Sequence, residues 1–273
     1  MGGPGRPIWF AGELDDPWVA AIADALPRDA VRWDCPDALP ESWESAGPAP
    51  RTVVLHRGHL TAADAQSLTR LRARCEVPPR VVLCVGPHAR YVDVDRWSRA
   101  VDAILPEATA DAVVLRHATP PDRRPDRAAG PRSRLVVVSG VHDIRMALGD
   151  SCRAGGYAVE AVRDWSEAPA GVPAVWDVPV LEPDWPASIG DRARSTPVVA
   201  VIGFADRATV AAAWEVGVAA CLDSMADGED LLAVLDRVTA SPVRADPPHE
   251  IPPAPRQRAP ARTPGVVDRG PRS

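Results

Sequence analysis

Short, wholly apolar runs alternate along this chain with longer segments whose apolar residues recur at helical spacing. The first run, residues 8–11 (IWFA), reads as a buried strand. Pro17 then opens a helix over 17–26, with Trp18, Ala21, Ile22 and Leu26 on one face. A weaker strand follows at 30–33, and 36–50, rich in Pro, Ser and Glu, reads as a loop. TVVL at 52–55 is a strand, and Thr61 caps a helix over 62–74 with Asp64 in its first turn. VVLCV at 81–85 is a buried strand, 94–100 a short helix, 103–105 a strand and 108–116 a helix.

After a stretch that cannot bury a core (TPPDRRPDRAAGPRS, residues 119–133), the pattern starts again. Strands are expected at 135–138, 157–162, 174–177, 198–202 and 219–222. Helices are expected at 144–154, 208–215 and 228–238, and 179–194 reads mostly as loop. Gly217 falls where a helix turns into a strand, so a positive φ is expected there. The end of the first half (VVLCVG, helix, AVDAIL, ATADAVVLRHA) lies about 117 residues before a matching VVAVIG, helix, VAACL, GEDLLAVLDRV. The repeat implies two α/β units, 7–118 and 134–240. Each is a doubly wound parallel five-stranded sheet of flavodoxin-like type with helices on both faces. A single large doubly wound domain is the alternative, and the composition of 119–133 argues against it. Residues 241–273, rich in Pro and Arg, form a tail expected to be disordered.

Composition narrows the chemistry. The 273 residues contain no lysine and no asparagine, so all 31 basic residues are arginine. A Schiff base and a phosphate-gripping lysine are therefore ruled out. A net charge of −6 disfavours non-specific nucleic-acid binding. Five cysteines stand singly, with no CxxC pair, which fits reduced thiols and a cytoplasmic setting. No window approaches eighteen apolar residues, and no leader pattern follows Met1.

The second unit, over 134–240, resembles a response-regulator receiver domain in the order and spacing of its elements. The resemblance implies an aspartate phosphoacceptor ending the third strand, and Asp177 in VWDVPVLEPD stands there. It also implies an acidic pair for Mg²⁺ after the first strand, a hydroxyl after the fourth and a lysine after the fifth. This sequence has Ser139 and Gly140, Ile202, and Ser224 at those positions, with His142 and Asp143 just beyond the first pair. The first unit departs further: its third strand runs into His56, Arg57 and Gly58 with no aspartate.

Other clusters are weaker. Glu13, Asp15 and Asp16 suggest a metal site but lead into a helix, where acids complement the dipole. His56, His59 and His88 lack accompanying ligands and read as ordinary loop histidines. Ser139, His142 and Asp143 are too close in sequence to aim at one another as a triad. No G-x-G-x-x-G follows either first strand. Trp18, Trp33, Trp176 and Trp214 fit core or sheet-edge packing, while Trp43, Trp165 and Trp185 fall in expected loops.

The expected function is therefore that of a non-catalytic pseudo-receiver, without metal or cofactor, acting by protein–protein contact in bacterial signalling or regulation. The resemblance implies pairing through the surface made by 208–216 and 230–238. A phospho-accepting response regulator using Asp177 is the first alternative, and an enzyme of another α/β class the second.

Overall fold

A computed structural model describes residues 6–35, 47–59, 61–89, 91–119, 132–180 and 182–240. The expected loop is outside the described residues at 36–46, the joining stretch at 120–131, and the tail at 241–273 throughout. The first unit runs β1 (Ile8–Gly12), α1 (Pro17–Asp24), β2 (Val31–Asp34), β3 (Thr52–Arg57), α2 (Ala62–Arg74), β4 (Arg80–Val85), α3 (Tyr91–Ser98), β5 (Ala103–Pro106) and α4 (Glu107–Ala118). The second runs β6 (Arg134–Val138), α5 (His142–Ala154), β7 (Ala158–Val162), a short turn of helix at Trp165–Glu167, β8 (Ala174–Val178), α6 (Trp185–Ala193), β9 (Val198–Ile202), α7 (Arg207–Glu215), β10 (Ala220–Asp223) and α8 (Gly228–Ala240).

Each unit holds one all-parallel five-stranded sheet, ordered β2-β1-β3-β4-β5 and β7-β6-β8-β9-β10. Both orders reduce to 2-1-3-4-5, the flavodoxin-like arrangement. Central strands β1, β3 and β9 are buried at every residue, as strands covered on both faces must be. The edge strands β2 and β7 carry partly exposed residues instead.

Local chemistry sets the helix ends. Asp16 caps α1, accepting from the Trp18 and Val19 amides, and Thr61 caps α2 through the Asp64 amide. The Thr61 cap follows the sequence reading; Asp16, read as one of three acids complementing the helix dipole, is the cap itself. Gly217 sits at φ +93°, and the Val218 amide reaches back to the Ala213 carbonyl, closing α7 in a Schellman turn. The segment expected as loop at 179–194 is corrected to α6. Trp185, Ile189 and Ala193 form its buried stripe, and Gly190 lets it approach Val216. Ser188 and Gly190 depress helix propensity there, Pro186 suits the first turn, and tertiary packing overrides the rest. Trp185 is therefore a core residue rather than a loop tryptophan, and Trp165 packs on Trp176 with ring centroids 5.3 Å apart. The short helix expected at 94–100 begins three residues earlier, at Tyr91.

Inside the first unit, Arg57 is buried and fully used. It grips Asp64 with two parallel bonds of 3.1 Å and donates to the Cys35 and His56 carbonyls. Such bidentate pairing offsets the desolvation of both charges.

The two units pack against each other. α1 and α4 of the first meet α7, β10 and α8 of the second. Trp18 stacks on Trp214 at 5.0 Å, and one continuous apolar cluster joins Ile22 and Val113 to Leu231 and Leu235. The surface at 208–216 and 230–238, implied by the resemblance to serve in pairing, thus takes this chain's own first unit.

A β-carbon at Gly217 would meet only Ala193, no closer than 3.7 Å, so any cost of substitution is one of backbone conformation. Gly217→Val should lower the stability of the chain by roughly 1 kcal/mol or more. Denaturant unfolding of the two proteins side by side checks this.

Candidate functional site

In open α/β sheets the binding crevice lies beyond the carboxyl ends of the strands, where the strand order reverses. For the second unit that point is between β6 and β8. Ser139 follows β6 and is fully buried, and Asp177 lies in β8, half-buried. The Ser139 hydroxyl donates to Asp177 Oδ2 at 2.7 Å and accepts from the Val141 amide at 3.1 Å. Arg145, one turn into α5, donates to the Ser139 carbonyl at 2.5 Å. Its guanidinium also lies 3.3 Å from His142 Nδ1. Asp143 is exposed in the first turn of α5.

Two strands away, Asp223 ends β10 and is buried. Its Oδ1 accepts from the Met225 amide at 2.8 Å and its Oδ2 from the Ala205 amide at 3.1 Å. The carboxylate thereby ties the β10–α8 loop to the β9–α7 loop. Phe204, just before Ala205, is held at φ +56°, a left-handed conformation costly for a bulky residue.

The same edge of the first unit is filled. His56, in β3, points its Nε2 at Glu107 Oε2, 2.5 Å away, and both side chains are buried. A β-carbon on Gly12 would lie 2.9 Å from Val19 Cγ1 and 3.0 Å from His56 Cβ, so glycine keeps the approach of β1 to His56 open. Arg207, from the second unit, donates to Glu107 Oε1 at 2.5 Å and pairs with Asp16 at 2.8 Å while lying over the Trp18 ring. Burial raises the Glu107 pKa, but hydrogen bonds from His56 and Arg207 outweigh it and hold the carboxyl below its ordinary value. A second cluster lies at the other end of α4. Arg116 pairs with Asp230 at 2.5 Å and Asp227 at 2.6 Å, and His117 Nε2 lies 3.1 Å from Asp230. Asp230 shows the same balance: burial raises its pKa, while His117 and Arg116 bring it below normal.

No family model matches this sequence, and no curated protein matches it. Among solved structures the fold is similar to a response regulator from Thermotoga maritima: 14% identity, 41% of this chain and 100% of that one, TM-score 0.37. It is also similar to the C-terminus of E. coli RcsC, containing a linker region and a phosphoreceiver domain: 14% identity, 88% of this chain and 97% of that one, TM-score 0.34. The strand order stands independently of these likenesses. Both units have the receiver-type fold.

The receiver positions read from the sequence gather only in part. Ser139 and Asp177 meet directly, and Gly140 adjoins them. Ile202 is fully buried within β9, its side chain part of the core. Ser224 is exposed, and its amide donates to the Ile202 carbonyl. These donors do not suit magnesium, which demands several hard oxygens in octahedral array. Asp177 shares an oxygen with a hydroxyl proton, the Ser139 carbonyl faces a guanidinium, and both Asp223 oxygens face amides. Among the described residues no group of three His, Cys, Asp or Glu is placed to hold a metal. Asp16 serves as a helix cap and ion-pair partner, while Glu13 and Asp15 lie in the same loop. His56 is corrected from a loop histidine to a buried strand residue. His59 and His88 are exposed and stack at 5.9 Å. The thiols offer little nucleophilicity: burial pushes Cys84 and Cys221 far up and Cys152 to about 12.

Sequence reasoning missed Glu107, Arg207 and Asp223. Asp223 had a local signal, an Asp followed two residues later by the amide of a turn. Glu107 and Arg207 had none, because they are 100 residues apart.

A carboxylate with a depressed folded pKa stabilises above its unfolded pKa and loses that contribution as pH falls through the folded value. For Glu107 the ordinary value is 4.5, and for Asp230 it is 3.8. Acidification below these values should therefore weaken the contact between the units. Glu107→Gln should be less stable near neutrality and show a shallower loss of stability below pH 4.5. Urea midpoints measured between neutral and acid pH for both proteins test the sign.

Proposed function

We propose that this chain is a tandem pseudo-receiver acting by protein–protein contact in bacterial signalling or regulation, not by phosphotransfer. In this reading 7–118 and 134–240 are the two receiver-like domains, joined by 119–133 and followed by a 241–273 tail. The observation that carries it is the Ser139 hydroxyl donating to Asp177 where a receiver of the phosphorylated kind places carboxylates for a metal. The nearest guanidinium, Arg145, is committed to the Ser139 carbonyl and approaches His142. Phosphoryl transfer needs charge on the equatorial oxygens neutralised, and each absent electrostatic contact costs roughly 10²–10³ in rate.

The packing of α4 against α7, β10 and α8 supports the view that these units act through protein surfaces. The surface implied for pairing is filled within the chain, so an outside partner meets other faces. Among the described residues no helix is long and apolar enough to cross a membrane, and the five cysteines are free, which together support a cytoplasmic protein. A phospho-accepting regulator using Asp177 is the competing reading, favoured by the half-exposed position of that carboxylate at the strand end.

Incubation with acetyl phosphate and Mg²⁺, followed by intact-mass spectrometry, separates the two. The pseudo-receiver reading expects no stoichiometric phosphorylation, and Asp177→Ala should behave as the parent does. Stoichiometric labelling that vanishes in Asp177→Ala would establish the competing reading.

A further inference from the structure

The carboxyl edge of the second sheet carries an ordered row of exposed apolar side chains. Asp223, Ile202 and Val178 are register partners on the adjacent parallel strands β10, β9 and β8. Two residues beyond each stand Met225, Phe204 and Val180, with relative exposures of 87%, 97% and 37%. All three stand in the turns just past the carboxyl ends of three adjacent strands, so they share that edge of the sheet. Val141 and Ile144, beyond β6, extend the row and are also exposed.

This display is built rather than incidental. Asp223 spends both carboxylate oxygens on the amides of Ala205 and Met225, which fixes the two loops. Next to the Ala205 anchor, Phe204 is held in a left-handed conformation with its ring in solvent. Strain retained at an exposed aromatic points to a role for that ring, and exposed apolar residues gathered past the ends of adjacent strands suit an interaction surface.

Charge identifies the occupant. Asp143, Glu182, Asp184 and Asp206 are exposed on the loops and helix starts around the row, while Asp227, also exposed, is already paired with Arg116. Arg207, the cation nearest Phe204 in sequence, is committed to Glu107 and Asp16. An apolar row ringed by carboxylates fits a basic segment with apolar residues. This chain carries one: residues 251–273 hold Arg256, Arg258, Arg262, Arg269 and Arg272 against Asp268, together with Ile251, Val266 and Val267. The reach suffices. α8 starts at this edge and its 13 residues carry the chain about 20 Å away. The 11 residues from Ala240 to Ile251 can span about 36 Å.

We propose that the row formed by Met225, Phe204 and Val180 is the docking surface for the chain's own arginine-rich stretch, residues 251–273. The stretch then covers the edge at which Asp177 lies and competes with any outside ligand of that edge. The inference does not depend on the loss of phosphotransfer, and its test is independent of Asp177 chemistry.

The test uses the full chain with a photoreactive benzophenone amino acid at position 204, irradiated at low concentration and mapped by peptide mass spectrometry. Cross-links should fall on residues 251–273. They should be intramolecular in a mixture of isotopically light and heavy chains, and should drop several-fold at high salt, which screens exposed charges. The triple variant Arg256→Glu, Arg258→Glu, Arg262→Glu lies outside both sheets, so it should fold normally and lose most of the cross-link. The same probe at position 77, exposed on the first unit, should not capture the tail. Cross-links to any other segment, cross-links only between light and heavy chains, or a yield indifferent to the arginine reversals would overturn the proposal.

Discussion

Helix Glu107–Ala118 has almost no solvent face, and the rest of the molecule is arranged around that fact. Of its residues only Leu115 is exposed. One side lies on β3, β4 and β5 of its own sheet, and the other meets α7, β10 and α8 of the second unit. Ala108, Ala110, Ala112 and Ala118 keep it thin enough to be shared between two layers. A helix enclosed in this way must have its terminal groups satisfied. Thr52 and Arg80 take the last carbonyls, at Ala118 and His117, each at 2.8 Å. At the other end Glu107 receives His56 and Arg207, and an anion is well placed at a helix N-terminus.

Sharing this helix changes what each unit can do. The first unit's strand-end crevice is closed by His56 and Glu107, with an arginine supplied by its neighbour. The second unit's α7–β10–α8 face is used internally. What stays open is the second unit's carboxyl edge, where Ser139 and Asp177 lie in the crevice and the Phe204 row stands in front. Because Glu107 and Asp230 join the two units through paired charges, acid weakens that same contact.

Much of the fold was legible because buried parallel strands write themselves as continuous apolar runs. VVLCV, LVVV and VVAVI each became a central strand. Helix ends were legible for a similar reason: Thr61 and Gly217 act on amides and carbonyls within a few residues of themselves. α6 was not legible. Its Ser and Gly oppose a helix locally, and only the burial of Trp185, Ile189 and Ala193 against the second sheet overrides them. The candidate site divides the same way. Asp177, Ser139 and Ser224 could be placed by counting from strands, but whether Ser139 would meet Asp177 could not.

By itself, then, the sequence determined what depends on neighbours along the chain: two repeats of alternating strand and helix, their turns, and the absence of any lysine to serve a phosphoryl group. Only the tertiary structure decided what depends on distant residues. It brought Arg207 to Glu107 across 100 positions, enclosed α4 between two sheets, and left Met225, Phe204 and Val180 exposed past the strand ends of one edge. The physical reason is range. Strand burial, helix capping and turn strain act within a few residues and leave a periodic trace. Ion pairing and shared packing between units are set by where whole elements come to rest, and no local pattern records that.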